Sequence, residues 1–448
     1  MMLACGHDQP EFGAPICAHV RACRQPWLSY VRWYIGIKLD AELLCRPCAD
    51  EREKGAHLAV AYVCEQCFTH ATTEVCDLVG VRGAPGVLDR PEPLDATLVN
   101  SPLPTGLGAI VDIAPLDGIQ RSIWLMLVED GRLIRFDADT GDSTVVAVST
   151  VPREPDHEPF AGRPLSPRVH VSSHGDFAAV VNDYGRNGQL IDLRSGRVAL
   201  TLDGGDYHPE TVPFSFAFVE INGRSLAIHR TDWNRLDVSD PATGELLTGR
   251  GPTRYARGEE RPPHYLDYFH GGLTVSPRNS GVIDDGWVWH PVGIPTIWDL
   301  RRWILENPWE SEDGPSKLDT CGRSYYWDRA VAWIGETRIA VAGIGDDDSA
   351  MVDGARLFDI PEAGLEGDAW HEDRPVAREI AIVPGPAGSF FSDGASLFSA
   401  DPTGLSRWDP ATGARTGRIA TFHPKRYHRG TGELAQIADG ELVRWRAR

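Results

Sequence analysis

Cysteine and histidine residues near the start of the chain are spaced as metal ligands. Eight of the nine cysteines lie between Cys5 and Cys76. Zinc takes four sulfur or nitrogen donors in a tetrahedron, and two donors separated by one or two residues can turn toward the same ion. Four such pairs give the eight donors that two closed zinc sites need. The predicted ligands are Cys5, His7, Cys17, His19, Cys45, Cys48, Cys64 and Cys67.

Both predicted zinc ions are structural, because a catalytic zinc keeps one coordination position open for water. A module of about eighty residues buries little core, so metal binding would supply much of its folding free energy. Cys23, Cys76 and His70 remain as alternative ligands. Disulfides would need an oxidising compartment. A redox-active CxxC would be expected beside a βαβ pattern, which the sequence lacks.

Short strands are expected to position these donors. Ile35, Ile37 and Leu39 alternate with polar residues on the approach to Cys45. Residues 58–63 form a second apolar segment that runs directly into Cys64. Such patterns predict β-strands, so each CxxC would follow a strand.

The paired spacing resembles zinc ribbons and cross-braced, RING-like modules over residues 5–76. In a cross-brace, the first and third donor pairs share one ion, and the second and fourth share the other. In a sequential arrangement, the first two pairs share one ion and the last two share the other. The first two pairs are Cys-x-His, which departs from the RING pattern, so ubiquitin-ligase activity is not carried over from the resemblance.

Proline and glycine accumulate between residues 82 and 108, and this composition marks a domain boundary. The predicted organisation is a zinc-binding module over residues 1–82, a linker over residues 83–93 and a second domain over residues 94–448. In the second domain, short apolar strands alternate with turn residues.

One turn motif recurs through the second domain. A strand ends in Asp and turns through Ser or Thr and Gly into the next strand. The Asp can accept backbone N–H bonds, and the Gly can adopt a positive φ. Successive aspartates are 48 to 60 residues apart, and a period of this length predicts a repeat architecture such as propeller blades of four strands. The landmark aspartates are Asp137, Asp192, Asp240, Asp299, Asp359 and Asp409.

A seventh copy of the repeat lies at residues 442–445. The predicted fold class is therefore mainly β, with a seven-bladed β-propeller preceded by the small zinc-binding module. Six or eight blades remain alternatives. The last copy has sequence for only three strands, so a strand near residues 95–100 is expected to complete that blade and protect its edge.

Two of the repeated strands end in a Trp-Asp dipeptide, at Trp298-Asp299 and at Trp408-Asp409. With this dipeptide, the second domain resembles the WD-repeat family of propellers over residues 94–448. The Gly-His signature that opens many WD blades is not regular here, so the chain would be a divergent member. The Asp-x-x-Thr-Gly turn also occurs in quinoprotein-like propellers. The resemblance to WD repeats implies a role in assembling proteins.

No catalytic motif stands out in the sequence. Gly-x-Ser-x-Gly, a P-loop and His-Glu-x-x-His are absent. Cys321 has no evident histidine partner and is expected to be a packed thiol. Residues 346–348 are three aspartates whose spacing is not that of an EF-hand, so a solvated loop is expected. Residues 303–317 lack a strand pattern and are expected to form an exposed excursion, where Trp309 would suit a contact surface.

The formal charge of −20 at pH 7 restricts the partners. Residues 1–90 contribute −2, and the remainder contributes −18. A strongly acidic surface repels phosphate backbones and anionic lipids, so nucleic acids and membranes are disfavoured. The first residues lack a secretory pattern, which predicts a cytoplasmic location. The scarcity of lysine beside abundant Ala, Gly, Pro and Arg resembles proteins of GC-rich bacteria.

The predicted function is a non-catalytic scaffold for protein–protein interactions. Two alternatives remain. A propeller enzyme would need acidic or histidine side chains from several blades to meet in the central channel, and no repeated inward carboxylate is evident in the sequence. Nucleic-acid binding by the zinc module would use its interleaved basic and aromatic residues, which are Arg21, Arg24, Trp27, Arg32, Trp33 and Tyr34.

Overall fold

Strands dominate the structure, as the sequence predicts. The computed structural model describes residues 13–19, 30–34, 41–45, 48, 51, 57–64, 87–152, 154–155, 159–252, 254–256, 258–360 and 377–447. None of the helices in these ranges is long and apolar enough to cross a membrane.

The N-terminal module contains a four-stranded sheet with the strand order β2-β3-β1-β4. β1 pairs parallel to β3 and antiparallel to β4, and β2 pairs antiparallel to β3. The strands are β1 (Gly13–Cys17), β2 (Tyr30–Tyr34), β3 (Ala41–Cys45) and β4 (Val60–Cys64). The strand predicted before Cys64 is therefore present, whereas the one predicted around residues 35–39 falls outside the described residues.

Seven antiparallel sheets follow, and each is one blade of a β-propeller. The first strand of each blade lies innermost: β6, β10, β14, β18, β23 and β27 contact one another in succession, and β31 contacts β6. This arrangement confirms the seven blades predicted from the repeat. Blade 1 is β6 (Ile110–Pro115), β7 (Ile123–Val128), β8 (Arg132–Asp137) and β9 (Ser143–Val148). Blade 2 is β10 (Ser166–Val171), β11 (Phe177–Asp183), β12 (Asn187–Asp192) and β13 (Arg197–Asp203). Blade 3 is β14 (Phe216–Ile221), β15 (Arg224–Asp232), β16 (Arg235–Asp240) and β17 (Glu245–Leu246).

The other blades keep the same order of strands, although blade 4 has two short outer segments that both pair with its third strand. Blade 4 is β18 (Phe269–Val275), β19 (Gly281–Val288), β20 (Val292–Asp299), β21 (Leu318–Asp319) and β22 (Arg323–Ser324). Blade 5 is β23 (Val331–Ile334), β24 (Arg338–Ile344), β25 (Val352–Asp359) and β26 (Arg378–Pro384). Blade 6 is β27 (Ser389–Ser392), β28 (Leu397–Asp401), β29 (Gly404–Trp408) and β30 (Arg415–Ile419). Blade 7 is β31 (Arg426–His428), β32 (Glu433–Ala438), β33 (Glu441–Arg446) and β5 (Val99–Pro102).

Short helices interrupt two blades. Helices α1 (Leu300–Leu305) and α2 (Glu310–Asp313) lie between the third and outer strands of blade 4. Single 3₁₀ turns at Pro209–Thr211 and Asp348–Ala350 lie in the connections before blade 3 and within blade 5.

The core of the propeller lies between its blades. Successive side chains of a strand point to opposite faces of the sheet, so one strand serves two interfaces. On β11, Ala178 and Val180 pack toward blade 1, whereas Ala179 and Val181 pack toward blade 3. A buried apolar cluster fills each of the seven interfaces between neighbouring blades. This explains why second strands such as β7 are apolar and buried throughout.

The ring closes with a strand from the other end of the propeller domain. β5 pairs antiparallel with β33, with Ser101 opposite Leu442. Asn100 Nδ2 also donates to Glu441 Oε2 at 2.7 Å. The predicted closure is thus confirmed, although the strand covers Val99–Pro102 and therefore begins near the end of the predicted range of residues 95–100. Four residues of β33, from Glu441 to Arg444, thereby gain strand partners that a three-stranded blade would lack.

Residues 88–92, which the sequence assigns to the linker, run along the outer strand of blade 6. Arg90 N donates to Arg415 O at 3.0 Å, and Glu92 N donates to Thr416 O at 2.9 Å. Asp89 pairs with the guanidinium of Arg415 at 2.7 Å. This segment therefore covers part of an exposed sheet edge before the chain reaches β5.

The recurring turn has the same geometry at each complete copy. Asp192 Oδ1 accepts from Arg194 N at 2.8 Å, and Asp409 Oδ1 accepts from Ala411 N at 2.9 Å. The motif glycine adopts a positive φ each time, for example 71° at Gly196. Where the Gly is missing, Asp299 caps α1 by accepting from Arg302 N at 2.8 Å.

The excursion predicted over residues 303–317 packs against the propeller, so the expectation of an exposed segment is wrong. Trp303 is only 1% exposed. Trp309 is half-buried and stacks on His264 at 4.5 Å between ring centroids. Glu312 forms a buried ion pair with Arg250, which also pairs with Asp237 at 2.6 Å. Trp303 belongs to the apolar cluster between blades 3 and 4, and its burial holds this segment on the propeller while the ion pairs compensate the buried charges.

Candidate metal centre and interaction face

The ends of two parallel strands bring predicted zinc ligands together in the N-terminal module. Ile16 lies opposite Leu43 in the parallel pairing of β1 and β3. β1 ends at Cys17 and β3 ends at Cys45. Because parallel strands end at the same edge of a sheet, the Cys-x-His that begins with Cys17 and the CxxC that begins with Cys45 lie at one edge.

Three described side chains at this edge form a group with metal-ligand geometry. The ligand atoms of Cys17, His19 and Cys48 all lie within 4.8 Å of one another. His19 Nδ1 lies 3.1 Å from Cys48 Sγ. Two thiolates bound to one zinc at about 2.3 Å would be about 3.8 Å apart, so a zinc ion fits this donor set. Both cysteines are buried, and His19 is exposed.

The other predicted ligands are distributed differently. Cys64 is buried and lies opposite Gly13, at the other end of β1 from Cys17. The backbone of Cys45 ends β3. Cys5, His7 and Cys67 lie outside the described residues, as do the alternative ligands Cys23, His70 and Cys76. The two zinc ions therefore stay a prediction.

The residues that suggested nucleic-acid binding by this module stay equally untested. Arg21, Arg24 and Trp27 lie outside the described residues. Arg32, Trp33 and Tyr34 belong to β2, where only the backbone is described.

One face of the propeller carries the exposed aromatic side chains of the domain. On this face the chain crosses from the outer strand of one blade to the inner strand of the next, and the second strand of each blade turns into the third. Among the described residues of the propeller, every aromatic side chain that is strongly exposed lies in one of these loops. They are Phe160, Tyr207, Tyr255, Trp289 and Tyr325, between 37% and 63% exposed. We call this surface the aromatic face.

Rings on the aromatic face form a continuous chain that becomes buried toward the propeller axis. Tyr207 contacts Trp289 with ring centroids 6.4 Å apart and stacks on Phe269 at 5.8 Å. Phe269 stacks on Trp287 at 4.3 Å, and Trp287 stacks on Trp327 at 4.8 Å. These last three rings are buried. The exposed rings are thus held in place by a packed aromatic base.

Backbone strain concentrates on the same face. Ten described residues other than glycine have a positive φ. Eight of them lie in loops of the aromatic face, which are Ala161, Tyr184, His208, His264, His290, Tyr325, Asp328 and Asp439. Such conformations cost free energy and persist where the surrounding structure fixes them, often at functional sites. The loops of this face are therefore preformed.

Loops of the aromatic face meet across the propeller axis. Arg163 precedes blade 2 and Trp327 precedes blade 5, and these blades stand on opposite sides of the ring. Arg163 Nη2 donates to Trp327 O at 2.9 Å. Phe160 also stacks on Trp327 with centroids 6.2 Å apart. These contacts cover this mouth of the central channel.

Charged groups beneath these loops are already paired. Arg168 pairs with Asp183 at 2.6 Å, Arg163 pairs with Asp328 at 3.3 Å, and Arg426 pairs with Asp112. Burial raises the pKa of Asp183 to about 6, and the charge of Arg168 opposes this shift. The carboxylates that converge here are thus satisfied by arginines of the same protein.

A second contact crosses the axis at the opposite face. Arg429, between the first two strands of blade 7, donates from Nη2 to Val275 O of blade 4 at 2.9 Å. Its backbone N–H donates to Asp117 Oδ1 of blade 1 at 2.7 Å. Within the described residues, protein contacts therefore bridge both ends of the central channel.

Several buried or acidic residues of the propeller have structural roles. Cys321 is buried in the apolar cluster between blades 4 and 5, which confirms a packed thiol. Asp347 accepts from Ser349 N at 3.0 Å and caps a short 3₁₀ turn. His270 is fully buried and hydrogen-bonds Asp284 at 2.5 Å.

Sequence reasoning did not find the aromatic face. Trp289 stands in a stretch crowded with tryptophans, a composition that favours core packing, although its side chain is 41% exposed. Tyr207, Tyr255 and Tyr325 did not stand out, because they lie in three different loops, where no strand pattern separates exposed from packed rings. The feature that could have revealed the three tyrosines is that each lies between the outer strand of one blade and the inner strand of the next.

Comparison with known proteins assigns no family to the chain. No family model matches the chain, and no curated protein matches it. One similar solved structure is a chain of a structure titled "Crystal Structure of Mitotic Checkpoint Complex". The alignment has 14% sequence identity and a TM-score of 0.45, and it covers 80% of this chain and 97% of that chain.

Proposed function

We propose that this protein is a non-catalytic interaction scaffold: a divergent WD-type propeller that binds a basic segment of a partner protein on the aromatic face. The observation that carries the proposal is the clustering of exposed rings on one preformed face. Tyr and Trp are the residues that most often dominate binding energy at protein interfaces. Rigid rings on a packed base lose little conformational entropy on binding.

Charge supports a basic partner. The chain beyond residue 90 carries a formal charge of −18, and exposed aromatic rings attract Lys and Arg side chains through cation–π interactions. A basic partner would be steered toward this acidic domain, and the steering would weaken as salt rises. The paired carboxylates at the channel mouth support a role in binding over catalysis, because an ion pair within the protein occupies them.

The N-terminal module is a second part of the proposed scaffold. Two structural zinc ions would stabilise a sheet whose described core is small, and a reducing cytoplasm would keep the thiols available as ligands. In this arrangement, the module adds a second contact surface to the propeller.

The test compares three forms of the full chain in capture from extracts of the native host. One form carries Tyr207→Ser and Trp289→Ser. The control form carries Val198→Ser and Ile382→Ser, which change equally exposed apolar residues on the outer strands of blades 2 and 5. Each captured protein is then purified, and its affinity for the three forms is measured at low and high salt.

We expect a basic partner to bind the unmodified and control forms equally. Loss of two central aromatic contacts should weaken binding about 30-fold or more, which corresponds to roughly 2 kcal/mol. Equal affinity of all three forms for every partner would contradict the aromatic face as the binding surface.

A further inference from the structure

We propose that the second and third donor pairs share one zinc ion, with Cys17, His19, Cys45 and Cys48 as its four ligands. This assignment deepens the zinc module of the proposed function and is independent of the aromatic face. It differs from both pairings that the sequence resemblance suggests, since neither of them places Cys17 and Cys48 on the same ion.

The strand register supports this ligand set. Ile16 and Leu43 are partners in a parallel pair. Cys17 lies one residue after Ile16, and Cys45 lies two residues after Leu43, so both cysteines are close to the same end of the paired strands. The residues that follow them, His19 and Cys48, leave the sheet at the same edge. Parallel pairing therefore brings a Cys-x-His and a CxxC together although about 30 residues separate them along the chain.

The side chains of the group give an independent argument. The ligand atoms of Cys17, His19 and Cys48 already lie within 4.8 Å of one another, and two thiolates on one tetrahedral zinc ion are about 3.8 Å apart. Since Cys45 begins the same CxxC as Cys48, it is the candidate fourth donor closest to Cys48 in sequence, and its backbone ends β3 at this edge of the sheet. Three sulfurs and one nitrogen complete a tetrahedron and leave no open position, which is the composition of a structural zinc site.

The same register separates Cys64 from this site. Cys17 lies opposite Val60, and Cys64 lies opposite Gly13. Four residues of strand place Cys64 about 13 Å farther along the sheet. Two thiolates on one zinc ion lie at most about 4.6 Å apart. Cys64 therefore belongs to the other end of the sheet, and the first and fourth donor pairs are left for the second predicted ion.

The decisive experiment uses the unmodified full chain loaded with an NMR-active cadmium isotope in place of zinc. Scalar coupling through the metal–sulfur bond links the β protons of each ligating cysteine to its own cadmium resonance. We expect Cys17, Cys45 and Cys48 to correlate with one cadmium resonance and Cys64 with another. Correlation of Cys17 and Cys48 with different resonances would overturn the assignment. A chain that binds neither cadmium nor zinc would overturn the zinc module as well.

Paired substitutions give a second readout through the zinc content of the purified chain. Cys17→Ser with Cys48→Ser should remove one of two ions, because both residues serve the same site. Cys48→Ser with Cys64→Ser should remove both ions. The opposite result, with one ion kept only in the second variant, would indicate the sequential pairing. If Cys17→Ser with Cys48→Ser also loses both ions, either the two cysteines serve different ions or the variant does not fold. The cadmium spectrum of the unmodified chain then decides, because it shows directly whether Cys17 and Cys48 correlate with the same resonance.

Discussion

At the residue scale, local turn motifs could be predicted from the sequence, whereas contacts between side chains of different loops could not. The Asp turns were predicted because all their chemistry lies within six residues, as at Asp192 and Gly196. The aromatic face was not predicted, because its exposed rings come from different loops that meet only in the folded protein, as Tyr207 meets Trp289. A ring in a loop has no local pattern that separates contact from packing.

A buried histidine makes stability depend on pH. His229 is 5% exposed, and its Nε2 lies 2.9 Å from Ser239 Oγ. Burial lowers the pKa of His229, although the charge of Asp237 opposes the shift. The folded state therefore holds the neutral ring. The stability of the folded state that depends on this ring is fully present above the pKa of the unfolded state, near 6.5, and is lost as pH falls below that value. Below pH 6.5, the free energy of unfolding of the wild type should fall by up to about 1.4 kcal/mol per pH unit relative to that of His229→Gln.

Denaturant unfolding between pH 7.5 and pH 5 measures this difference. His423→Gln is the matched control, because the ring of His423 is exposed in the folded protein and folding does not dehydrate it. If His229→Gln and wild type changed in parallel across this range, burial of a neutral ring at position 229 would be wrong.

At the scale of elements, closure of the ring depends on more than backbone pairing. The guanidinium of Arg444 on β33 is buried, and Nη2 donates to Ser101 Oγ of β5 and to Ala138 O of blade 1, both at 3.0 Å. Nη1 pairs with Asp139 at 2.9 Å and with the buried Glu433 at 3.3 Å. The sequence indicated that a strand near residue 100 closes the ring, because the last repeat is short. It contained no local sign of this clamp, because Arg444 is over 300 residues from Ser101, Ala138 and Asp139.

Removal of the clamp should destabilise the propeller strongly. Arg444→Ala leaves the buried Glu433 carboxylate without its nearest buried partner, and loss of one member of a buried pair costs about 3 kcal/mol or more. Arg446→Ala is the control, because Arg446 contacts the same carboxylate at 3.2 Å but its side chain is 53% exposed. That exposed pair should contribute less than about 1 kcal/mol. Equal losses for the two variants in denaturant unfolding would show that Arg444 is not the clamp.

At the scale of the whole molecule, the repeat period predicted the number of blades, and the apolar strands predicted where the core lies. Both follow from local pattern, since each blade except blade 7 is built from one stretch of chain and its sheet packs on the neighbouring blades. Contacts across the axis, such as Arg163 with Trp327, do not follow from the repeat, because they join loops that break it. The pairing of zinc ligands was open for a related reason: strand order in the N-terminal sheet does not follow chain order.

The boundary between module and propeller yields the last prediction. A chain that lacks residues 1–86 keeps the segment on blade 6 and the closing strand β5, so its propeller should unfold at the temperature of the full chain. A chain that lacks residues 1–105 loses the pairing of β5 with β33 and the packing of Leu94 and Leu98 in the cluster between blades 6 and 7. It should unfold at a clearly lower temperature and associate through the exposed edge of β33.

A chain that lacks residues 1–94 separates the two contributions. It keeps β5 but loses the pairs of Asp89 with Arg415 and of Glu92 with Arg407. These pairs are exposed, so each should stabilise the fold by less than about 1 kcal/mol, and the loss should come mainly from Leu94 and from the uncovered edge of β30. Its unfolding temperature should lie between the other two. If the shortest chain unfolded at the same temperature as the one that starts at Val87, β5 would not be the element that closes the ring.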